Sequence, residues 1–491
     1  MHAIVPGIAH ALHSTAATRR IEQAAMTSLP AHALMQRAGQ AVARLALAIA
    51  PHAQRYWIAC GPGNNGGDGL EAATHLLQLG KTPMVTWLGH GASLPADARV
   101  ALDWARAANV VFTSAPPEEC DCAIDAVLGL GVSRAPEGQM AEHITHLNRL
   151  RARGIPVLSV DLPSGLHADT GDAPGAHVQA SHTLALLTLK PGLFTAAGRD
   201  AVGTLWFEDL GITPSPADSP QARLTPTPGV QARRHASHKG SYGDVAVIGG
   251  APGMGGAALL AARAALHGGA GRVYVGLLDP EAPLLDTTQP ELMLRHPETL
   301  LDALARLSVV CGCGGGEAVT GVLPELLRQA PRLVLDADAL NAIAADTALQ
   351  MLLQGRSRRN GGHGDRETVL TPHPLEAARL LNSDAQGVQR DRLSAAQALA
   401  ERFACTVVLK GSGTVITAPD ALPCINTTGN ARLATAGTGD VLAGLIGARM
   451  GQGHSALEAA CTAVHEHGWA ADTWTPGEAL TAGALARALS S

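Results

Sequence analysis

The stretch Tyr56-Trp57-Ile58-Ala59-Cys60-Gly61-Pro62-Gly63-Asn64-Asn65-Gly66-Gly67-Asp68-Gly69 decides how the first half of this chain folds. Tyr56 to Cys60 reads as a buried strand, the glycines and proline end it, and helical periodicity resumes over Leu70 to Leu79. A strand that passes through a glycine loop into a helix brings backbone N–H groups at a helix start close to an anion, so a phosphate-bearing ligand is expected. Gly61, Gly63 and Gly66 satisfy GxGxxG formally. A dinucleotide fingerprint also needs an acidic residue roughly 20 positions on, at the end of the second strand. That strand ends Trp87-Leu88-Gly89-His90, and no Asp or Glu lies between Glu71 and Asp97. The loop instead carries Asn64, Asn65 and Asp68, which a simple pyrophosphate cradle does not need. Taken locally, a plain turn with Asn and Gly at positive φ is the competing reading.

Working outward, strands are expected at Met84 to Leu88, Cys122 to Val127 and Val157 to Val160. Helices are expected at Ala96 to Ala108 and Gln139 to Arg151, after a long helical start from Thr18 to Ala50. Such alternation implies a Rossmann-like three-layer domain, a parallel sheet with helices on both faces. Residues Ile212 to Ala232 carry Pro214, Pro216, Pro220, Pro226 and Pro228 with little apolar periodicity, and read as a linker. The alternation then resumes, with strands at Val245 to Ile248, Val273 to Gly276, Leu333 to Leu335, Val369 to Thr371 and Val407 to Leu409. Helices follow at Gly256 to His267, Ala339 to Ala345, Leu375 to Leu381, Arg390 to Phe403 and Val441 to Met450. The expected division is therefore 1–212, a proline-rich linker at 213–232, and a second α/β domain at 233–491.

Composition agrees with two globular domains, since 491 residues exceed what one core usually organises. The 36 basic and 42 acidic side chains give a net charge of −6 with no run of either sign, which argues against a nucleic-acid or membrane-surface protein held by basic charge. Val245 to Ala262 lacks charge but is broken by glycines and Pro252, so it reads as strand, loop and helix start, not a membrane span. The N-terminus shows no basic segment followed by an apolar core, and a cytoplasmic chain is expected. The eight cysteines form no CxxC and no zinc spacing, so buried free thiols are the reading.

Two more polar loops close strands of the first domain: Asp125-Ala126-Val127-Leu128-Gly129-Leu130-Gly131 and Asp161-Leu162-Pro163-Ser164-Gly165-Leu166. Open α/β sheets bind ligands at this edge, so Asp68, Asp125 and Asp161 should converge beside Asn65 and Ser164. Convergent oxygens suit a hard cation, general acid/base chemistry, or both, although any one of these aspartates alone reads equally as a cap. Together Cys60 to Gly69, Val160 to Gly165 and Thr188-Leu189-Lys190-Pro191-Gly192, with the earlier Leu34-Met35-Gln36-Arg37-Ala38-Gly39, resemble the signature loops of NAD(P)H-hydrate epimerases over about 10–212. The resemblance implies a potassium ion held by Asn65, Asp125 and Ser164. It implies hydrate contacts from Asn64, Asn65, Gly66, Gly67, Asp68, Gly129, Gly131 and Asp161, with Asp161 the candidate acid/base. Gly129-Leu130-Gly131 departs from the family's Gly-Thr-Gly.

In the second domain Ala434-Thr435-Ala436-Gly437-Thr438-Gly439-Asp440 sets glycines and hydroxyls before an apolar helix with one carboxylate in its first turn. Backbone N–H groups there suit phosphoryl oxygens and Asp440 suits a base, while the bland alternative is a carboxylate complementing a helix dipole. Lys410-Gly411-Ser412-Gly413-Thr414 joins two strands without a Walker A pattern, and Thr371-Pro372-His373-Pro374 fixes His373 at a sheet edge. With His238 to Gly243 and Asp336-Ala337-Asp338-Ala339-Leu340-Asn341, these resemble the ADP-dependent NAD(P)H-hydrate dehydratases of the ribokinase-like fold over about 233–489. The resemblance implies that Ala257, Gly316, His373 and Asp440 meet the hydrate, with Asp440 the base. It implies that Lys410, Gly411, Ser412, Gly413, Thr414 and Gly439 meet ADP, taken with Mg2+. Cys311-Gly312-Cys313-Gly314-Gly315-Gly316 replaces the family's Gly-Pro-Gly-Leu-Gly. No role is assigned to Arg356 to Asp365, read as a surface loop.

The expectation is thus a homo-oligomeric enzyme that epimerises R and S NAD(P)H hydrate and dehydrates the S form, ADP becoming AMP, with no nucleic-acid or membrane partner. A ribokinase-like small-molecule kinase fused to a nucleotide-binding module is the alternative, because the same anion hole serves both. A non-catalytic N-terminal module for a protein partner is the third reading, and Asn65, Asp125, Asp161 and Ser164 speak against it.

Overall fold

The computed structural model describes residues 1–89, 93–229, 233–358 and 366–489. Two compact units emerge, one of Met1–Val5 with His10–Arg223, the other of Pro6–Ala9 with Leu224–Ser491. Both are α/β, with sheets that are mainly parallel.

In the first unit the sheet runs His2–Ala3, Thr204–Glu208, His182–Leu186, Val157–Val160, Cys122–Ala126, Arg55–Cys60, Thr82–Trp87, Val111–Thr113, and only the pairing of His2–Ala3 is antiparallel. One face buries Met35, Val42, Leu45, Leu70, Leu76 and Leu102, while the other buries Trp57, Ile144, Leu147 and Leu150. The three-layer expectation describes this unit. The register sets Asp125 beside Ser159 and Cys60 beside Ala126, which aligns the polar strand ends at one edge.

Two local expectations change. The helix expected from Leu70 begins at Asn64 and runs to Gln78, so the glycine stretch supplies its first turns. A Cβ at Gly66 would stand 1.8 Å from the carbonyl oxygen of Gly61, so the glycines serve close packing of helix on strand as well as turning. The long helical start is two helices, Thr15–Ser28 and Ala33–Ile49, separated around Pro30.

The second unit orders its strands Met293–Leu294, Arg272–Leu277, Asp244–Gly249, Leu307–Cys311, Arg332–Leu335, Glu367–Leu370, Thr406–Leu409, Val415–Thr417, Cys424–Ile425. The last two pair antiparallel and the others parallel. Large cores cover both faces, one of them built around the helix Thr438–Gly451, whose Val441 to Ala448 are all buried. Leu307–Cys311 and the helix Ala456–Asp472 lie outside the sequence expectation.

The expected linker is in part structured. Ala222–Leu224 is a strand, with Ala222 and Arg223 opposite Leu12 and Ala11, and the Thr225 N–H donates to the carbonyl of Ile425. Three residues between prolines are too few for periodicity to register. Val230 to Ala232 lie outside the described residues.

The surface loop expected from Arg356 needs correction. Arg356 lies in the helix Thr347–Arg358 and is buried. Its guanidinium donates to the carbonyls of Leu326, Leu327 and Ala330 at 3.1, 2.9 and 2.8 Å, and to Thr368 Oγ1 at 2.7 Å. These carbonyls lie in the last turn of the helix Leu323–Gln329 and just beyond it, a role for which arginine's fork of donors is suited. The remainder, 359–365, lies outside the described residues. Among the described residues no helix is long and apolar enough to cross a membrane. Cys60, Cys120, Cys122, Cys311, Cys313 and Cys405 are buried free thiols.

Candidate active sites

At the carboxyl edge of the first unit's sheet lies a cavity of about 430 Å³, lined among others by Asn64, Asn65, Asp68, Gly129, Gly131 and Asp161. The strand ends thus bring together most of the residues expected there. Gly66 and Gly67 are buried in the helix and are absent from that lining, which makes them packing positions. Asp125 and Ser164 are fully buried and also do not line it.

Asp125 ends its strand among donors. Ser164 Oγ approaches Oδ1 at 2.5 Å, while Ser159 Oγ and Ser164 N reach Oδ2 at 2.8 and 2.9 Å. Burial pushes this carboxyl up, against the opposing pull of Ser164, Ser159 and the Val127 N–H. Asn65 gives its Nδ2 to the Leu128 carbonyl at 3.0 Å, and the Leu128 N–H donates to Ser164 Oγ at 2.8 Å. Carboxylate, hydroxyl and amide oxygens therefore gather round a buried carboxylate that forms no ion pair among the described residues. That donor set fits a monovalent cation, because it is rich in hard oxygens and holds one carboxylate, fewer than calcium sites recruit.

Asp161 has φ +65°, a left-handed conformation that turns the chain at the end of Val157–Val160. Its Oδ1 accepts from the Leu186 N–H at 3.1 Å and from the ammonium of Lys190. Lys190 is wholly buried, donates also to the Leu186 carbonyl at 2.8 Å, and contributes to the cavity wall. Burial first, and then Asp161 and Glu22, hold Asp68 well above the usual carboxylate range. Burial and Asp161 likewise raise Glu22, on the helix Thr15–Ser28. Lys190 and Glu22 carry no expected role in the sequence reading. Lys190 lies in the Thr188 to Gly192 stretch that carries part of the family resemblance, but without a role of its own, and nothing local distinguished Glu22.

In the second unit four side chains from four elements meet. Asp336 follows Arg332–Leu335, Lys410 follows Thr406–Leu409, Cys313 follows Leu307–Cys311, and Asp440 sits in the first turn of Thr438–Gly451. Lys410 Nζ and Thr371 Oγ1 each stand 2.7 Å from Asp336 Oδ1. Ligand atoms of Cys313, Asp336 and Asp440 lie within 4.8 Å of one another. Burial and then Asp336 push the Asp440 carboxyl up to about 6. Burial alone would lower the Lys410 ammonium, but Asp336 and Glu376 hold it above its usual value. Gly437, at φ +88°, starts the helix, and a Cβ on Gly439 would come 3.4 Å from Lys410 Nζ, so the ammonium faces the helix start. The Thr438 hydroxyl is engaged with the Leu433 and Thr435 carbonyls, which leaves backbone N–H groups as the local anion donors.

The loop Lys410 to Thr414 is held by buried Arg392, which donates to the carbonyls of Leu409 and Lys410 at 3.1 Å each. Gly411 at φ +136° and Gly413 at φ +65° bend it between the two strands, and Ser412 lies between them. His373 caps the helix Pro374–Leu381: Nδ1 accepts from Leu375 N and Glu376 N, while Nε2 lies 3.2 Å from Glu376 Oε1. Its side chain stays 47% exposed, so a ring with a structural duty still offers a face to a ligand. Ala257 packs against Gly314, and the Gly316 N–H donates to Asp338 Oδ2 at 2.9 Å. The motif reading quoted Asp336 and Cys313 without giving either a role, since neither position reveals that it meets Asp440.

Residues 31–192 match the family described as YjeF-related protein N-terminus, and 245–491 the family described as NAD(P)H-hydrate dehydratase. The chain is 38% identical over 468 residues to the bifunctional NAD(P)H-hydrate repair enzyme Nnr of Escherichia coli K12, covering 92% of this chain and 87% of that one. It is 37% identical over 511 residues to the bifunctional NAD(P)H-hydrate repair enzyme of Leishmania major, covering 94% and 89%. Among solved structures, the ADP/ATP-dependent NAD(P)H-hydrate dehydratase of Bacillus subtilis, co-crystallized with ATP and Mg2+, is 30% identical, with 53% of this chain and 92% of that chain covered and a TM-score of 0.45.

Proposed function

The chain belongs to the bifunctional NAD(P)H-hydrate repair enzymes, and from that premise we propose how its own residues divide the work. It is a metabolite-repair enzyme with an epimerase unit and a dehydratase unit. We assign the first reaction to the cavity of Asp161, Lys190 and Asp68. The hydrate carries a hydroxyl on the carbon bonded to its ring nitrogen. Asp161 takes the hydroxyl proton as the carbon–nitrogen bond opens, and Asp68, whose carboxyl is pushed up by burial and by Asp161 and Glu22, supplies a proton to the nitrogen. Reclosure on the other face returns both protons and inverts the centre. Lys190 balances the charge of Asp161 and holds its carboxylate against the cavity wall.

Asn65, Asp125 and Ser164 would hold potassium beside this cavity, and Ser164 and Asn65 tie it to the Leu128 loop. When bound, the ion supplies positive charge that fixes that loop.

In the second unit Asp440 removes the hydrate's hydroxyl proton as the terminal phosphoryl group of ADP, taken as its magnesium complex, passes to that oxygen. AMP leaves, the ring nitrogen expels phosphate, and the neighbouring carbon loses a proton to restore the dihydropyridine. Lys410 and the N–H groups after Gly437 serve the phosphoryl oxygens, and Gly411 to Thr414 line the nucleotide. Ala257, Gly316 and His373 face the hydrate. Buried free thiols accord with a cytoplasmic enzyme.

The observation that carries this reading is Asp440, pushed up to about 6 beside Lys410 at a glycine-rich helix start: a base poised near neutrality next to an anion seat. Mixed R and S hydrate with ADP should return all the dihydronicotinamide absorbance, with one phosphate released per turnover. Recovery of only the S portion would remove the epimerase role, and a stable phosphorylated organic product would favour the kinase reading.

A further inference from the structure

The cavity of the first unit is lined by one carboxylate that the epimerisation reading leaves without work, Asp97. It stands in the first turn of the helix Ala96–Ala107, which follows the strand Thr82–Trp87. That strand pairs with Arg55–Cys60, whose end opens into the glycine stretch. A dinucleotide-binding fold supplies the acid that holds ribose hydroxyls from this second strand. Spacing along the chain finds none there, because Asp97 lies well past Trp87 and reaches the glycine stretch only in the fold.

Two contacts hold Asp97 in place. Ala98, the next residue, packs with its Cα 3.1 Å from where a Cβ on Gly67 would stand, so this turn sits against the start of the helix Asn64–Gln78. Trp104, further along the helix of Asp97, meets the His32 ring edge-on with centroids 4.8 Å apart. His32 is buried, and its Nε2 lies 2.7 Å from Glu71 Oε1. Its Nδ1 finds no hydrogen-bond partner and stands 3.8 Å from Asp97 Oδ1, beyond hydrogen-bond reach. That is the one ionic contact of Asp97 among the described residues, and its side chain remains 24% exposed. The turn bearing Asp97 is thus fixed while its carboxylate oxygens stay available.

We infer that Asp97 binds the sugar of the hydrate, its carboxylate accepting hydrogen bonds from the 2′- and 3′-hydroxyls of the ribose bonded to the reacting ring. This rests on the reading of Asp161 and Asp68 as the groups that open and reclose the carbon–nitrogen bond. Asp68 follows Gly67, against which Ala98 packs, and serves the ring nitrogen. The ribose is bonded to that same nitrogen, so the sugar falls on the side of the cavity that Asp97 lines. A volume of about 430 Å³ suits this nucleoside end of the substrate. A vicinal diol presents two O–H donors, and a carboxylate has two oxygens to receive them. The competing use of Asp97 is to complement the dipole of its own helix, which needs no ligand.

The test is steady-state epimerisation by the full chain, followed above the uncatalysed exchange, in the wild type, Asp97→Asn and Asp97→Ala. The substrates are the R forms of NADH hydrate, NADPH hydrate and an NADH-hydrate analogue that lacks the 2′-hydroxyl on its ring-bearing ribose. Asp97→Ala should raise KM for NADH hydrate by about 10- to 100-fold with kcat nearly unchanged, since the sugar is bound but does not react. Asp97→Asn keeps the shape and one acceptor oxygen and should raise KM by less. The analogue should bind the wild type more weakly yet lose little more in Asp97→Ala, because each change removes the same contact. NADPH hydrate should follow NADH hydrate; a loss confined to one of them would put Asp97 at the adenosine ribose and overturn the assignment. Additive losses for analogue and variant, or a KM that stays in place while the melting temperature falls, would leave only the helix-dipole role and overturn it too. Asp161→Asn separates the two claims. If it epimerises at the wild-type rate, the acid/base assignment fails. If it is inactive while Asp97→Ala keeps the wild-type KM, only the sugar contact fails.

Discussion

Replacing Lys190 with methionine keeps the length of the side chain and removes its charge. In the native protein the ammonium is buried, donates to Asp161 and lies 2.8 Å from the Leu186 carbonyl. After the change Asp161 retains the Leu186 N–H, and the Leu186 carbonyl retains the Thr188 N–H at 2.7 Å, so the loss falls chiefly on the carboxylate. Breaking a buried pair from one side typically costs ~3–5 kcal/mol, because the partner's charge is left uncompensated. The Asp161 side chain is 11% exposed, which admits some water and points to the lower end. At ~2–4 °C per kcal/mol for a unit of this size, the first unit's melting temperature should fall by about 6–12 °C. Calorimetry of the full chain reads this, and epimerisation of R hydrate, followed well above the uncatalysed exchange, should fall with it. The decisive measurement is the cycle with Asp161→Asn. The double variant buries no unpaired charge, so it should cost less than the two single changes added together. Strict additivity, or a Lys190→Met melt that coincides with the wild type, would refute the claim that the pair holds the site together.

Potassium should tighten hydrate binding to the epimerase unit more than sodium does, since the oxygens round Asp125 are hard and few of them are charged; equal affinity in the two salts would remove the cation site. His467 is buried, donates to the Thr438 carbonyl at 2.9 Å, and is held down to about 4 by burial. Its ring stays neutral when folded but takes a proton near 6.5 when unfolded, so its contribution is complete above that pH and is lost as pH falls toward 4. At pH 5 the loss is about 2 kcal/mol. Denaturant unfolding of the second unit should show it, and His467→Gln, which keeps a donor but does not titrate, should flatten that part of the profile.

Much of this protein is legible along the chain because strand and helix periodicity are local properties. The alternation over Tyr56 to Val160 and Val245 to Met450 is enough for two parallel α/β domains, and the loops at Cys60, Val160, Lys410 and Gly437 carry the family resemblance unaided. Local reading failed where a residue's meaning lies with a distant partner. Glycines after Cys60 read as a loop although they form a helix start, because the close approach of Gly66 to Gly61 is a tertiary fact. Arg356 read as surface because the carbonyls it satisfies belong to another helix and its C-terminal end. Lys190 and Asp161, or Cys313 and Asp336, become neighbours only when parallel strands align in register and their carboxyl ends share an edge, to which the helix start at Gly437 brings Asp440. The chain alone therefore determined which chemistry-bearing groups were available and on which kind of element each would sit. Which of them touch, and how burial then shifts Asp440 and Asp68, was decided by sheet register and packing, since both act between residues far apart in sequence.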